Sequence, residues 1–138
     1  MGGDGRAEYV YRSPRLIAPQ PRSPLRGEIW WTHFPTDPPE KGRRPVVVVS
    51  TDGRNCQPRA NTVLVVPLST SIHKSRPADL LLRSGETGLR EDSAAQADNV
   101  SAVSKDQLIE PVAGHRPLTN TQVCRLAGLV RVAMGCVE

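Results

Sequence analysis

Between residues 28 and 108 the chain is a series of short apolar runs separated by turn-forming clusters. Residues 28–34 hold Ile29, Trp30, Trp31 and Phe34, side chains that favour a pleated, half-buried strand. After a proline-rich loop at 35–42 comes Pro45-Val46-Val47-Val48-Val49-Ser50. Its consecutive valines, with no polar residue between them, predict a strand buried on both faces. Residues 51–61 form a polar loop with Gly53 and Pro58, and 62–68 predict another buried strand. A shorter strand follows at 78–83, closed by the turn Ser84-Gly85-Glu86-Thr87-Gly88. Residues 93–103 alternate loosely and predict one strand, straight or bent, and Ser104 can cap a short helical turn through Leu108. The period then changes. Val123, Leu126, Ala127, Val130 and Met134 recur at helical spacing, behind a cap at Thr119 or Thr121 and before a stop at Gly135.

Strands first and one helix last, with tight turns between, predict a mainly β fold with a C-terminal helix, built as a small closed barrel. At 138 residues there is material for one domain. No run approaches the roughly 20 apolar residues of a membrane span, and residues 1–25 lack the apolar core of a secretory signal. That segment carries Pro14, Pro19, Pro21 and Pro24 among Arg6, Arg12, Arg15 and Arg22. It reads as a flexible basic arm that either adds a contact to RNA or to a partner or is an artefact of start-codon choice, with the domain at 26–138.

Composition narrows the chemistry only a little. Cys56, Cys124 and Cys136 are odd in number and form no C-x-x-C pair, which suits free thiols in a reducing cytosol. His33, His73 and His115 lack metal-ligand spacing. The net charge of +4 and pI near 9.3 are mildly basic, and arginine dominates lysine, which suits forked phosphate contacts.

Three segments place polar groups beside strongly apolar strands, where a side chain is both anchored and accessible. In Glu40-Lys41-Gly42-Arg43-Arg44-Pro45, Gly42 frees the backbone to turn and Pro45 biases Arg44 to an extended conformation. Arg44 is then a guanidinium free to face a cleft, or an ordinary solvated turn charge. In Val65-Val66-Pro67-Leu68-Ser69-Thr70-Ser71, hydroxyls gather at a strand end and can bond a phosphate or a ribose 2′-OH, or simply end the strand. No G-x-S-x-G elbow or paired histidine supports a serine hydrolase. In Asp92-Ser93-Ala94-Ala95-Gln96-Ala97-Asp98-Asn99-Val100, Asp98 and Asn99 either read bases or ribose or lie on a solvent face. Of Trp30 and Trp31, alternation sends one ring inward and leaves one for a base or an interface.

In order and spacing these segments resemble the MazF/PemK family of toxin endoribonucleases. Arg26-Gly27-Glu28-Ile29-Trp30 is similar to its opening strand, Gly42-Arg43-Arg44-Pro45 with the valines to its G-x-R-P strand, and Val66-Pro67-Leu68-Ser69-Thr70 to its P-x-T-[ST] strand end. The resemblance spans residues 26–136. It implies an SH3-like barrel, a cytoplasmic homodimer, an acidic antitoxin partner, and cleavage of single-stranded RNA without a metal or other cofactor. It also implies Arg44 as catalytic arginine and Ser69 (Thr70 if the alignment slips by one) as catalytic hydroxyl, with Glu40 near an acidic loop residue that some members use. Arg43, Lys41, Trp31, Asn99 and Lys74 are the candidate RNA contacts. Two other readings stay open: a poison of DNA gyrase on the same barrel, as in the CcdB group, and a binding module that has lost catalysis. The C-terminal Gly135-Cys136-Val137-Glu138 does not resemble the ending expected of the first.

Overall fold

The computed structural model describes residues 22–74 and 76–136. Seven strands form an antiparallel sheet: β1 (Ile29–Thr32), β2 (Arg44–Val48), β3 (Thr62–Ser69), β4 (Asp79–Leu82), β5 (Ser93–Gln96), β6 (Ser101–Ser104) and β7 (Leu108–Pro111). Two one-turn helices, α1 (Asp52–Asn55) and α2 (Ser84–Thr87), interrupt it, and α3 (Asn120–Ala133) ends the chain's described part. The hydrogen-bonded order is β4-β5-β3-β2-β1-β7, with β6 also on β3.

β3 is the pivot. One edge pairs with β2; the other is shared, β6 taking Thr62 to Val65 and β5 taking Leu68 and Ser69. The sheet therefore splits into two curved halves around one strand. β4 and β7 end the order and do not pair with each other, so side chains rather than hydrogen bonds close the barrel. Leu80 and Leu82 of β4 share a core with Ile29 of β1 and Val112 just past β7.

The valine run behaves as its composition requires. Val47 joins that first core, with Val66, Leu68, Val123 and Leu126, while Val46 and Val48 join a second, with Trp30, Phe34, Val63, Val65 and Val103. Neighbouring residues of a strand face opposite ways, and here both faces are covered. The helix is capped as expected: the Thr119 hydroxyl accepts from the Gln122 N–H, and Gln122 returns a bond to the Thr119 N–H.

Four expectations need correction. Residues 93–103 are two strands, because a 3₁₀ turn at Ala97–Asn99 redirects the chain from one half of β3 to the other. β7 was not expected; Leu-Ile-Glu-Pro shows little alternation and ends in proline. β2 begins at Arg44 rather than Pro45. The α3 stripe is only partly covered: Val123 and Leu126 are buried and Val130 is half-buried against the first core, whereas Ala127 is exposed and Met134 is 74% exposed. Near the N-terminus, the Glu28 carboxylate accepts from Arg22 and from the Leu25 N–H, so these residues of the expected arm lie against the domain. The remainder of that arm, residues 1–21, lies outside the described residues.

Candidate functional site

Arg44 opens β2 opposite Thr32 of β1. It shares a strand face with Val46 and Val48, and its guanidinium carbon lies 5.5 Å from the Phe34 ring centroid. Three acceptors from three separate elements hold the head. Nη1 donates to Asp37 Oδ1 of the β1–β2 loop at 3.0 Å, Nε to the Leu68 carbonyl of β3 at 3.1 Å, and Nη2 to Gln96 Oε1 of β5 at 2.5 Å. The side chain is 13% exposed. It is thus a pinned guanidinium, not the free one the sequence suggested. A guanidinium has five N–H donors; with these three spent, one hydrogen on each terminal nitrogen is left for an anion.

Ser69 ends β3. Continuing the pairing of Val46 with Pro67 sets Ser69 opposite Arg44, and opposite residues of an antiparallel pair share a face. Its Oγ accepts from the Ser71 N–H at 3.1 Å and so closes the turn beyond the strand. Thr70 falls on the other face. There it lines an open cleft of about 480 Å³ with Trp31, Arg43, Pro45, Arg90 and Glu110. Ser69 and Arg44 therefore share a face, and Thr70 is directed to the other.

The other candidates divide. Trp30 is buried and donates its ring N–H to Glu28. Trp31 is half-buried under Arg43, whose guanidinium carbon is 4.5 Å from the ring centroid and which also pairs with Glu110 at 3.3 Å. Asn99 donates to Gln96 Oε1 at 3.3 Å, behind Arg44. Asp98 pairs instead with Arg76 at 2.7 Å. Glu40 and Lys41 are exposed on a 3₁₀ turn at Pro39–Lys41, and Lys74 is exposed on another. Among the described residues Glu40 has no ion pair; Asp37, three residues earlier, holds Arg44. Sequence reasoning missed Asp37, which reads as one more polar residue in a proline-rich loop. It also passed over Gln96, which lies in the third singled-out segment but beside the more conspicuous Asp98 and Asn99.

Glu28 braces the opposite end of the β1–β2 pair, where its carbonyl accepts from the Val48 N–H. Burial pushes its carboxyl up, but hydrogen bonds from Leu25, Trp30 and Arg22 prevail and hold it below the ordinary range. Among the described residues no cluster of ligating side chains could hold a metal ion, and no helix is long and apolar enough to cross a membrane. Cys56, Cys124 and Cys136 are exposed free thiols.

The fold and sequence have clear relatives. Residues 25–130 match the family described as PemK-like, MazF-like toxin of type II toxin-antitoxin system. The chain is 32% identical over 113 residues to the probable endoribonuclease MazF5 of Mycobacterium tuberculosis, covering 82% of this chain and 94% of that protein. It is 34% identical over 94 residues to endoribonuclease MazF9 of the same organism, covering 63% of this chain and 78% of that protein. Among solved structures, a MazF from Deinococcus radiodurans superposes with a TM-score of 0.65 at 19% identity, over 83% of this chain and 98% of that one. A mycobacterial endoribonuclease in complex with its cognate antitoxin gives 0.63 at 22%, over 84% and 99%. The mainly β fold with a C-terminal helix is theirs, and the chain belongs to the PemK-like, MazF-like toxin family of type II toxin–antitoxin systems.

Proposed function

We propose that this chain is a toxin endoribonuclease that cuts single-stranded RNA in the cytoplasm, with Arg44 and Ser69 as its reacting pair. One observation supports the assignment of the pair: Arg44 is held by three protein acceptors that leave two of its N–H groups uncommitted, and the β2–β3 register, continued two residues beyond Val46 and Pro67, sets it opposite Ser69. In the reaction the ribose 2′-OH gives up its proton as its oxygen attacks the adjacent phosphorus in line, the P–O5′ bond breaks, and the leaving 5′-oxygen takes a proton, so that one proton passes overall from the 2′-OH to the 5′-oxygen. The products are a 2′,3′-cyclic phosphate and a 5′-hydroxyl. No protein nucleophile is required. The spare N–H groups of Arg44 fork onto the non-bridging oxygens, where negative charge grows. Ser69 gives its hydroxyl to the phosphate or steers the 2′-OH. Requiring that hydroxyl excludes DNA.

Exposed Lys41 and Lys74 supply phosphate contacts along the strand, and the Trp31–Arg43 stack offers a platform at the neighbouring cleft. The toxin family of the chain supports an acidic antitoxin as partner, competing for the same cationic end of the barrel, and a homodimer as the working state.

The test is a long single-stranded RNA incubated with the purified chain in EDTA, beside Arg44→Ala. Cuts by the native chain that disappear in the variant are expected. Retained cutting by Arg44→Ala removes Arg44 from the reaction; no cutting of any RNA by the native chain removes the activity.

A further inference from the structure

We infer that Gln96 is a positioning residue for the proposed reaction: it fixes the plane of the Arg44 guanidinium without neutralising it. This rests on the assignment of Arg44 above and adds a residue to it.

The argument starts from donors and acceptors. A guanidinium can only donate, so Gln96 must present its carboxamide oxygen to Nη2, and that orientation is chemically forced. The same oxygen accepts from Asn99 Nδ2 at 3.3 Å, which ties the Gln96 amide to the 3₁₀ turn behind it. Gln96 itself ends β5 and pairs with Asp79 of β4, so its backbone is set by the sheet. Arg44 is thereby clamped between the β1–β2 loop and β5, with β3 beneath.

Charge separates the acceptors. Of the three, only Asp37 is an anion; the Leu68 carbonyl and Gln96 are neutral. A second carboxylate at Gln96 would hold the head as well or better, yet would oppose the anionic phosphate. A neutral amide supplies direction while leaving net positive charge at the two free N–H groups. A misplaced clamp is costly, since displacement by about 1 Å can lower a rate about 100-fold.

Gln96→Met keeps the length and removes the acceptor; Gln96→Glu keeps the acceptor and adds the charge. Both are compared with the native chain for cleavage of a short RNA in EDTA, for thermal melting, and by guanidinium nitrogen NMR of Arg44. Expected are resolved Nη proton signals in the native chain that merge in Gln96→Met, with kcat lowered about 10- to 100-fold and KM moved much less. Gln96→Glu is expected to melt at or above the native temperature and still lose kcat, a separation that a purely structural role would not give. Native kcat in either variant overturns the inference. So do Arg44 signals that are already merged in the native chain, whether or not that chain cuts RNA. Resolved, Gln96-dependent signals without cleavage would leave the positioning intact and remove the proposed reaction instead.

Discussion

Arg44 and Asp37 meet at 3.0 Å with side chains only 13% and 10% exposed. The second Asp37 oxygen, Oδ2, is buried with no hydrogen-bond partner. The pair is therefore enclosed but not fully satisfied, and its two halves are unequal: among the described residues the cation has three acceptors and the anion has one donor. Breaking such a pair from one side strands the other charge. Asp37→Ala is expected to lower stability by about 3 kcal/mol, and Asp37→Asn, which keeps an oxygen acceptor, by clearly less. Urea unfolding of both variants measures this. An alanine variant within about 0.5 kcal/mol of the native chain would mean that Arg44 relaxes freely into solvent.

Ser69 and Thr70 are adjacent in sequence and face opposite ways. Ser69→Ala is expected to cut RNA about 100-fold more slowly, the usual cost of a lost transition-state hydrogen bond. Thr70→Ala, altered at the cleft wall, should stay within a few-fold. Single-turnover cleavage distinguishes them, and a larger loss in Thr70→Ala would reverse the assignment.

Glu28 contributes to stability in a pH-dependent way. Its folded pKa is held below the ordinary 4.5, so its contribution is complete above that value and is lost as pH falls through the lowered folded pKa. Glu28→Gln should be less stable than the native chain at neutral pH, and the gap should narrow in acid. Melting curves from pH 7 downward test the sign; a gap that widens in acid contradicts it.

Gly88 and Gly42 both have φ of +76°, but only one is crowded. A Cβ on Gly88 would sit 2.3 Å from the Gly114 carbonyl oxygen, backbone that cannot yield, whereas Gly42 has nothing within 4 Å. Gly42→Ala should cost about 2 kcal/mol, because φ +76° with ψ −151° is a backbone region open almost only to glycine, and Gly88→Ala more still, because its added Cβ has no room. Equal unfolding midpoints for the two variants would show that the turn at Gly88 opens without penalty.

Much of this molecule was legible locally. The valine run predicted a strand covered on both sides, and Val46, Val47 and Val48 divide between two cores as that requires. Trp30 and Trp31 part to opposite faces, and Thr119 caps the last helix. Periodicity and capping are properties of neighbouring residues, so they survive without knowledge of the fold. The order of Gly42, Arg44, Pro45 and Ser69 was likewise enough to point to the family. What the sequence could not determine was the company Arg44 keeps. Gln96 is 52 residues away and reaches it only because β3 lends one edge to both β6 and β5. Asp37 reaches it because the proline-rich loop turns back over Phe34, where the Asp37 N–H bonds the Phe34 carbonyl. The uncovered end of α3 and the split between β5 and β6 have the same origin: they depend on which surface lies opposite, and no local pattern records that. The sequence by itself determined the elements, their buried faces and the arginine to watch. Only the tertiary structure decided that this arginine is clamped by one charged and two neutral acceptors, because that choice is made by strand pairing across the chain.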